Sequence, residues 1–252
     1  MLNLGSPDPG LIVLLLVATV GAYILKGMTG FGPALIYVPI ASLVFGPRVA
    51  IASSAFIDLV IGGALIAATH YEPHEMRLAS RMVVLMALGA GLGAYVAGFV
   101  PATVVAVTIG VLVIAIGLDI LLRHRTEVAP VALIGSRNVL GACFAGGISG
   151  GLTGMSGPFV VSGASSLEKT VLRRILLLVF AAEQPVKLAV YVLVGVWTSQ
   201  ALSVSLVCAP AVLVGILVGT HIHRSVDANS FRLTVSSVLI VAGATLLLKS
   251  FL

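Results

Sequence analysis

From Met82 to Leu118 the chain carries no charged residue at all. That run is far longer than the roughly 20 apolar residues a helix needs to cross a bilayer. Other uncharged runs flank it, among them Leu11–Tyr23. Composition agrees, with 59% of residues hydrophobic and 9% charged, where a soluble domain carries about a quarter charged. A cytosolic enzyme, a secreted domain and a disordered chain are excluded. The sequence reads as an all-α polytopic membrane protein, a single transmembrane domain over residues 1–252.

The net charge of +5 does not point to nucleic acid, because no basic block is interleaved with aromatics. Excess Lys and Arg is what a polytopic protein holds on its cytoplasmic side. Cys143 and Cys208 lie inside apolar runs and read as packing residues, so neither a disulfide nor a metal site is expected, and no cofactor. The first apolar run has Asp8 before it and no Lys or Arg. A cleaved signal peptide has a positive start, so this run is expected to stay as a membrane helix.

The chain repeats itself. Leu92–Arg123 aligns with Val218–Lys249 at a constant offset of 126, keeping Gly93/Gly219, Ala102/Ala228, Thr108/Thr234 and Gly117/Gly243 in register. Earlier in each half, Gly27-Met28-Thr29-Gly30-Phe31-Gly32-Pro33 matches Gly151-Leu152-Thr153-Gly154-Met155-Ser156-Gly157-Pro158, with one extra residue in the second copy. Repeat one covers about 10–125 and repeat two about 131–252. Candidate helical segments are 10–28, 33–46, 49–69, 78–99 and 102–122, then 131–150, 158–167, 172–197, 200–220 and 230–249. The second of each set is short. At 1.5 Å per residue they reach roughly 21 and 15 Å against a hydrocarbon core of about 30 Å. One Gly/Pro-interrupted or re-entrant segment per repeat is expected.

Charge decides how the repeats are oriented. With an odd number of crossings per repeat, Arg77, Arg81, Arg123, Arg125, Arg137, Lys169, Arg173, Arg174, Arg224 and Arg232 share one face. Only Arg48 and Lys249 then occupy the other, with Lys26 and Lys187 inside the membrane. An even number splits the same twelve loop charges six and six. The positive-inside rule selects the odd arrangement. The expected fold is therefore two inverted repeats of about five helical segments each, with both termini outside, in a prokaryotic plasma (inner) membrane. Inverted repeats interrupted at matching positions are the pattern of secondary transporters, whose site lies where the interruptions meet.

Candidate site residues follow from that pattern. Unwound backbone inside a membrane has to be buried in protein or line a polar cavity. Helices opening at Pro33 and Pro158 would point free N–H groups into such a cavity, which suits an anion. The substrate-binding candidates are Lys26, Thr29, Gly30, Phe31 and Gly32 in the first motif. Those of the second are Thr153, Gly154, Met155, Ser156 and Gly157. Thr29, Thr153 and Ser156 would add hydroxyl donors, and Phe31 and Met155 an apolar wall. Asp58 and Glu183 lie at equivalent points of the two repeats and near mid-membrane, about 15 Å along a helix from Arg48 and Arg174. A carboxylate at that depth is costly and functional by default. Both are candidates for proton carriage. Lys187, four residues beyond Glu183, can pair with it on one helix face, and Gln184 precedes Pro185, where the ring frees a carbonyl. Lys26 would meet the anion or pair with Asp58. Gly89-x-x-x-Gly93 and Gly215-x-x-x-Gly219 read as helix-packing faces.

The two glycine motifs, each followed by a short helix, make the whole chain resemble the TauE/SafE sulfite-exporter family, also called the toluene-sulfonate uptake permease family. The likeness rests on Gly27–Pro39 and Gly147–Gly163. The chain departs from the family at Phe31-Gly32-Pro33 and Ser156-Gly157-Pro158, where several glycines usually run together. It also has Ser162 in place of a common proline. The resemblance implies transport of small sulfur-containing anions, such as sulfite or organosulfonates, driven by an ion gradient. The partners expected are that anion, a coupling proton and the lipid bilayer, without nucleic acid; homo-oligomerisation stays open. Two rivals remain. Selectivity filters also use unwound glycine backbone, which keeps an anion channel in view. Gly154-Met155-Ser156-Gly157 fits the short pattern of an intramembrane serine protease, which needs a His base within reach of the serine. His221 and His223 are expected near the cytoplasmic face beside Arg224, whereas Ser156 is expected deep in the membrane, so an enzyme is not expected.

Overall fold

The computed structural model describes residues 8–30, 32–122, 137–163, 169–222 and 228–251. Among them are ten helices and no strand. They are α1 (Pro9–Thr29), α2 (Pro33–Phe45), α3 (Pro47–Ala67), α4 (Pro73–Phe99), α5 (Ala102–Leu122), α6 (Arg137–Thr153), α7 (Gly157–Gly163), α8 (Lys169–Leu193), α9 (Ser199–Ile222) and α10 (Ala228–Phe251). Six of these, α1, α3, α4, α5, α8 and α9, are long and apolar enough to cross a membrane. The protein is an all-α integral membrane protein.

Prolines open most of the first-half helices, as their fixed φ and missing N–H allow at a first turn. Asp8 explains the acid that precedes α1: its Oδ1 accepts from the Gly10 amide at 2.8 Å, capping the helix. The short segments are present. α2 is 13 residues long, entered through Gly30 and Gly32, both left-handed at φ 85° and 87°. Its residues Pro33–Ser42 are all buried, so it has no face to give to lipid. α7 is shorter still, at 7 residues. Several boundaries differ from expectation, among them the start of α4 at Pro73 rather than 78 and the span of α8, Lys169–Leu193 rather than 172–197. The segment expected at 131–150, of which 131–136 lie outside the described residues, continues as α6 to Thr153, because its glycines pack against a neighbour and carry the helix on where glycine would otherwise break it.

The chain divides into two compact units that do not follow its sequence halves. One unit contains α1, α2, the opening of α3 to Ser54, α5, α9 and α10. The other holds α3 from Ala55, α4, α6, α7 and α8. In the first unit α1 packs on α9, α5 on α10, and α2 on α1 and α10. In the second, α4 packs on α6 and α8, and α7 on α6. Glycine makes the tightest of these contacts. A Cβ on Gly219 would strike the Ile24 carbonyl, and one on Gly215 would stand 2.6 Å from that of Val20. Gly89 and Gly93 meet the Phe144 and Ile148 carbonyls in the same way, and Gly151 that of Ala90. Backbone carbonyls cannot move aside as side chains do, so these helices interlock. Outer faces carry Val17, Leu88, Leu217 and Leu248, all well exposed, as surfaces facing lipid tails do.

Candidate functional site

The second glycine motif builds a polar centre inside the α3–α4–α6–α7–α8 unit. α6 ends at Thr153, and Gly154 turns left-handed (φ 81°), its amide donating to the Gly150 carbonyl at 2.8 Å. Within that turn Thr153 Oγ1 donates to Ser149 O at 2.7 Å and accepts from the Met155 amide at 3.4 Å. Ser149 Oγ donates to Met155 O at 2.8 Å. The break is thus fastened by its own hydroxyls, and Thr153 already uses its proton there.

Ser156 points the other way, toward α8. Its Oγ donates to Glu183 Oε1 at 2.9 Å. The same oxygen accepts from Gln184 Nε2 at 3.2 Å and from Lys187 Nζ at 3.4 Å. Three donors from two elements converge on one carboxylate oxygen. Glu183 Oε2 and Gln184 Oε1, both buried, have no hydrogen-bond partner among the described residues. The Glu183 and Lys187 side chains are only 1% and 3% exposed, so this is a buried ion pair. Asp58, also buried, lies near enough for its charge to act on Glu183.

Two further residues complete the centre. Tyr191 is fully buried and donates through its hydroxyl to the Gly151 carbonyl, tying α8 to the last turn of α6. At Gly150 a Cβ would stand 2.8 Å from Ser156 Cβ and 3.5 Å from Glu183 Oε1. Only a residue without a side chain lets α6 pass this close to the Ser156–Glu183 bond. Sequence reasoning missed both, although Glu183, Lys187 and Tyr191 recur every four residues and so share one face of α8.

The first motif belongs to the other unit. Lys26 is buried, with its ammonium 5.8 Å from the centre of the Tyr23 ring, a cation–π arrangement. Its carbonyl accepts the capping bond from Gly30 at 2.7 Å, and Gly32 caps the start of α2. Phe31 and the side chain of Thr29 lie outside the described residues, as do His223 and the His74 and His124 side chains. Of the sequence candidates, the structure gathers Ser156, Glu183, Gln184 and Lys187 into one cluster, with Asp58 beside it. The Ser156 hydroxyl serves a carboxylate rather than an imidazole. Among the described residues, no group of three or more His, Cys, Asp and Glu side chains could hold a metal ion.

Membrane-spanning helices around a buried, charged centre at a broken helix are the pattern of a polytopic membrane protein of the transporter class. The family model described as Sulfite exporter TauE/SafE matches residues 14–246, nearly the whole chain. The chain belongs to that family of membrane anion transporters. No curated protein and no solved structure shows a significant match to it.

Proposed function

We propose that the protein is a proton-coupled secondary transporter of small sulfur oxyanions or organosulfonates, and that Glu183 is its coupling residue. The observation carrying this reading is the convergence of Ser156, Gln184 and Lys187 on a single oxygen of Glu183. Those three donors form a receptor for an anion, and an internal carboxylate occupies it. A substrate anion that entered beside an ionised Glu183 would leave a surplus negative charge in a low-dielectric centre, which is strongly unfavourable. Protonating Glu183 removes that charge. Its Oε2, buried and unpartnered, is where the proton would reside. Ser156 and Lys187 would then turn from the carboxyl to the substrate, so that anion and proton bind together.

Asp58 is proposed to tune the charge of that centre from α3. Within the other unit, Lys26, Thr29, Gly30, Phe31 and Gly32 are proposed as anion contacts in their own right, through the ammonium, the hydroxyl and the amides that open α2. Gly154, Met155 and Gly157 shape the second motif, with Thr153 holding its turn. The duplication is supported by the matched helix pairs, α1 on α9 having its counterpart in α6 on α4, and its inversion by the charge of the loops. The charge tally supports cytoplasmic Arg-rich loops and termini outside a prokaryotic inner membrane. Because glycine interlocks join α1 to α9 and α4 to α6, rigid rocking of one sequence half against the other would break both. Alternating access is therefore proposed to leave those pairs intact.

The test is flux of sulfite and of sulfoacetate in proteoliposomes, with and without an imposed pH gradient. Gradient-driven uptake that is lost in Ser156→Ala and Glu183→Gln supports the reading. Flux indifferent to the gradient would favour a channel, and absence of flux for both anions would remove sulfur as the substrate class.

A further inference from the structure

A pocket lies at one end of the α1–α2–α5–α9–α10 unit, at the far end of the short helix that follows the first glycine motif. It encloses about 230 Å³ and is lined by Ser42 and Gly46 at the end of α2, Pro47, the first turn of α5 at Ala102 and Thr103, and Lys249 on α10. That volume falls below the range of drug-sized sites and suits a small polar group. Among the described residues that line it there is no Asp or Glu.

Ser250 Oγ is already committed, donating to Leu246 O at 2.7 Å, but other donors in the lining are not. The Ser42 carbonyl accepts from the Gly46 amide at 3.0 Å, and the Leu43 carbonyl from Lys249 Nζ at 2.7 Å. Ser42 itself is 3% exposed, and its hydroxyl has no partner among the described residues. An ammonium carries three donors, so Lys249 keeps two beyond its bond to Leu43. α5 opens here as well. Pro101 O accepts from Val104 and Val105, while the amides of Ala102 and Thr103 precede the first intrahelical bonds and have no partner within the helix. A buried hydroxyl, a lysine ammonium and the positive end of a helix thus face one cavity.

We propose that this pocket binds a tetrahedral oxyanion through Lys249 Nζ, the Ser42 hydroxyl and the opening amides of α5. A phospholipid headgroup and a free phosphate or sulfonate present the same oxygens. The pocket lies where helices α2, α3 and α5 end or begin, at the level where headgroups are found.

A thiol at Thr103, which is exposed and lines the pocket, reports occupancy without reference to transport, since Cys143 and Cys208 are both buried. The rate of N-ethylmaleimide reaction of Thr103→Cys is measured in lipid-free, sugar-headed detergent with added inorganic phosphate or methanesulfonate. It is measured again in phosphatidylglycerol nanodiscs without added anion. Occupancy slows labelling at least about fivefold, and Lys249→Gln or Ser42→Ala in the same background abolishes the protection while Lys249→Arg retains it. Protection by added anion in detergent identifies a free oxyanion. Protection confined to the nanodiscs, with the same variant dependence, identifies the lipid. Equal labelling rates in every condition, or protection that survives both Lys249→Gln and Ser42→Ala, would overturn the proposal.

Discussion

Removing the Lys187 ammonium while leaving Glu183 in place tests the buried pair directly. The two charges lie 3.4 Å apart with side chains 3% and 1% exposed. At an effective dielectric of about 20, their attraction is about 5 kcal/mol. Lys187→Met strands a buried carboxylate that keeps only Ser156 and Gln184, and the expected loss of stability is about 3–5 kcal/mol. Glu183→Gln strands the ammonium instead and loses a comparable amount. The double variant removes both charges, and a neutral pair of similar volume is often no less stable than the ion pair. Thermal unfolding in detergent, followed by intrinsic fluorescence, reads these differences. At about 2–4 °C per kcal/mol for a chain of this size, each single variant should unfold roughly 6–20 °C lower and the double variant close to wild type. Two single losses that simply add in the double variant would refute the pairing, since coupled residues cannot behave independently.

Gly151→Ala places a methyl against the Ala90 carbonyl and the Ala94 amide and should destabilise the protein by about 1–3 kcal/mol or more. Gly141→Ala, in the same helix with nothing near its Cβ, should stabilise it by about 0.5–1 kcal/mol; paired melting curves check both. Tyr191→Phe leaves the Gly151 carbonyl without its hydroxyl partner and should lower stability by about 1–3 kcal/mol, visible in the same assay. Arg174 holds the nearly buried Glu75 at 2.8 Å. Arg174→Gln should cost about 1–3 kcal/mol, and Glu75→Gln in the same chain should recover part of that loss.

The helices were largely legible because their boundaries are chemical. Pro33 and Pro47 stand at or near the starts and Gly30 and Gly46 at the ends, whereas the start of α4 at Pro73 lies five residues before the apolar run that was read as its segment. The end of α6 was not legible, because Gly147, Gly150 and Gly151 look like a break in one dimension and are a packing surface in three. Glu183, Gln184 and Lys187 could be grouped from their spacing on one helix, and Ser156 only suspected. The bond between Ser156 and Glu183 spans a helix break that local pattern does not resolve. The two compact units were not legible either. α1 finds its partner in α9 and α4 in α6 through carbonyl–glycine contacts, and nothing near α1 in the sequence names α9. Ser42 and Lys249 lie still further apart along the chain, and only folding shows that both line one pocket.

The central claim is that Glu183 carries the coupling proton while the anion takes its donors. It is tested most directly by substrate uptake into proteoliposomes with the membrane potential held at zero and only the pH difference varied. Wild-type protein should take up sulfite faster as the pH difference rises. Glu183→Gln should lose that dependence and keep anion exchange at equal pH. A Glu183→Gln protein whose uptake still follows the pH difference as wild type does would contradict the account.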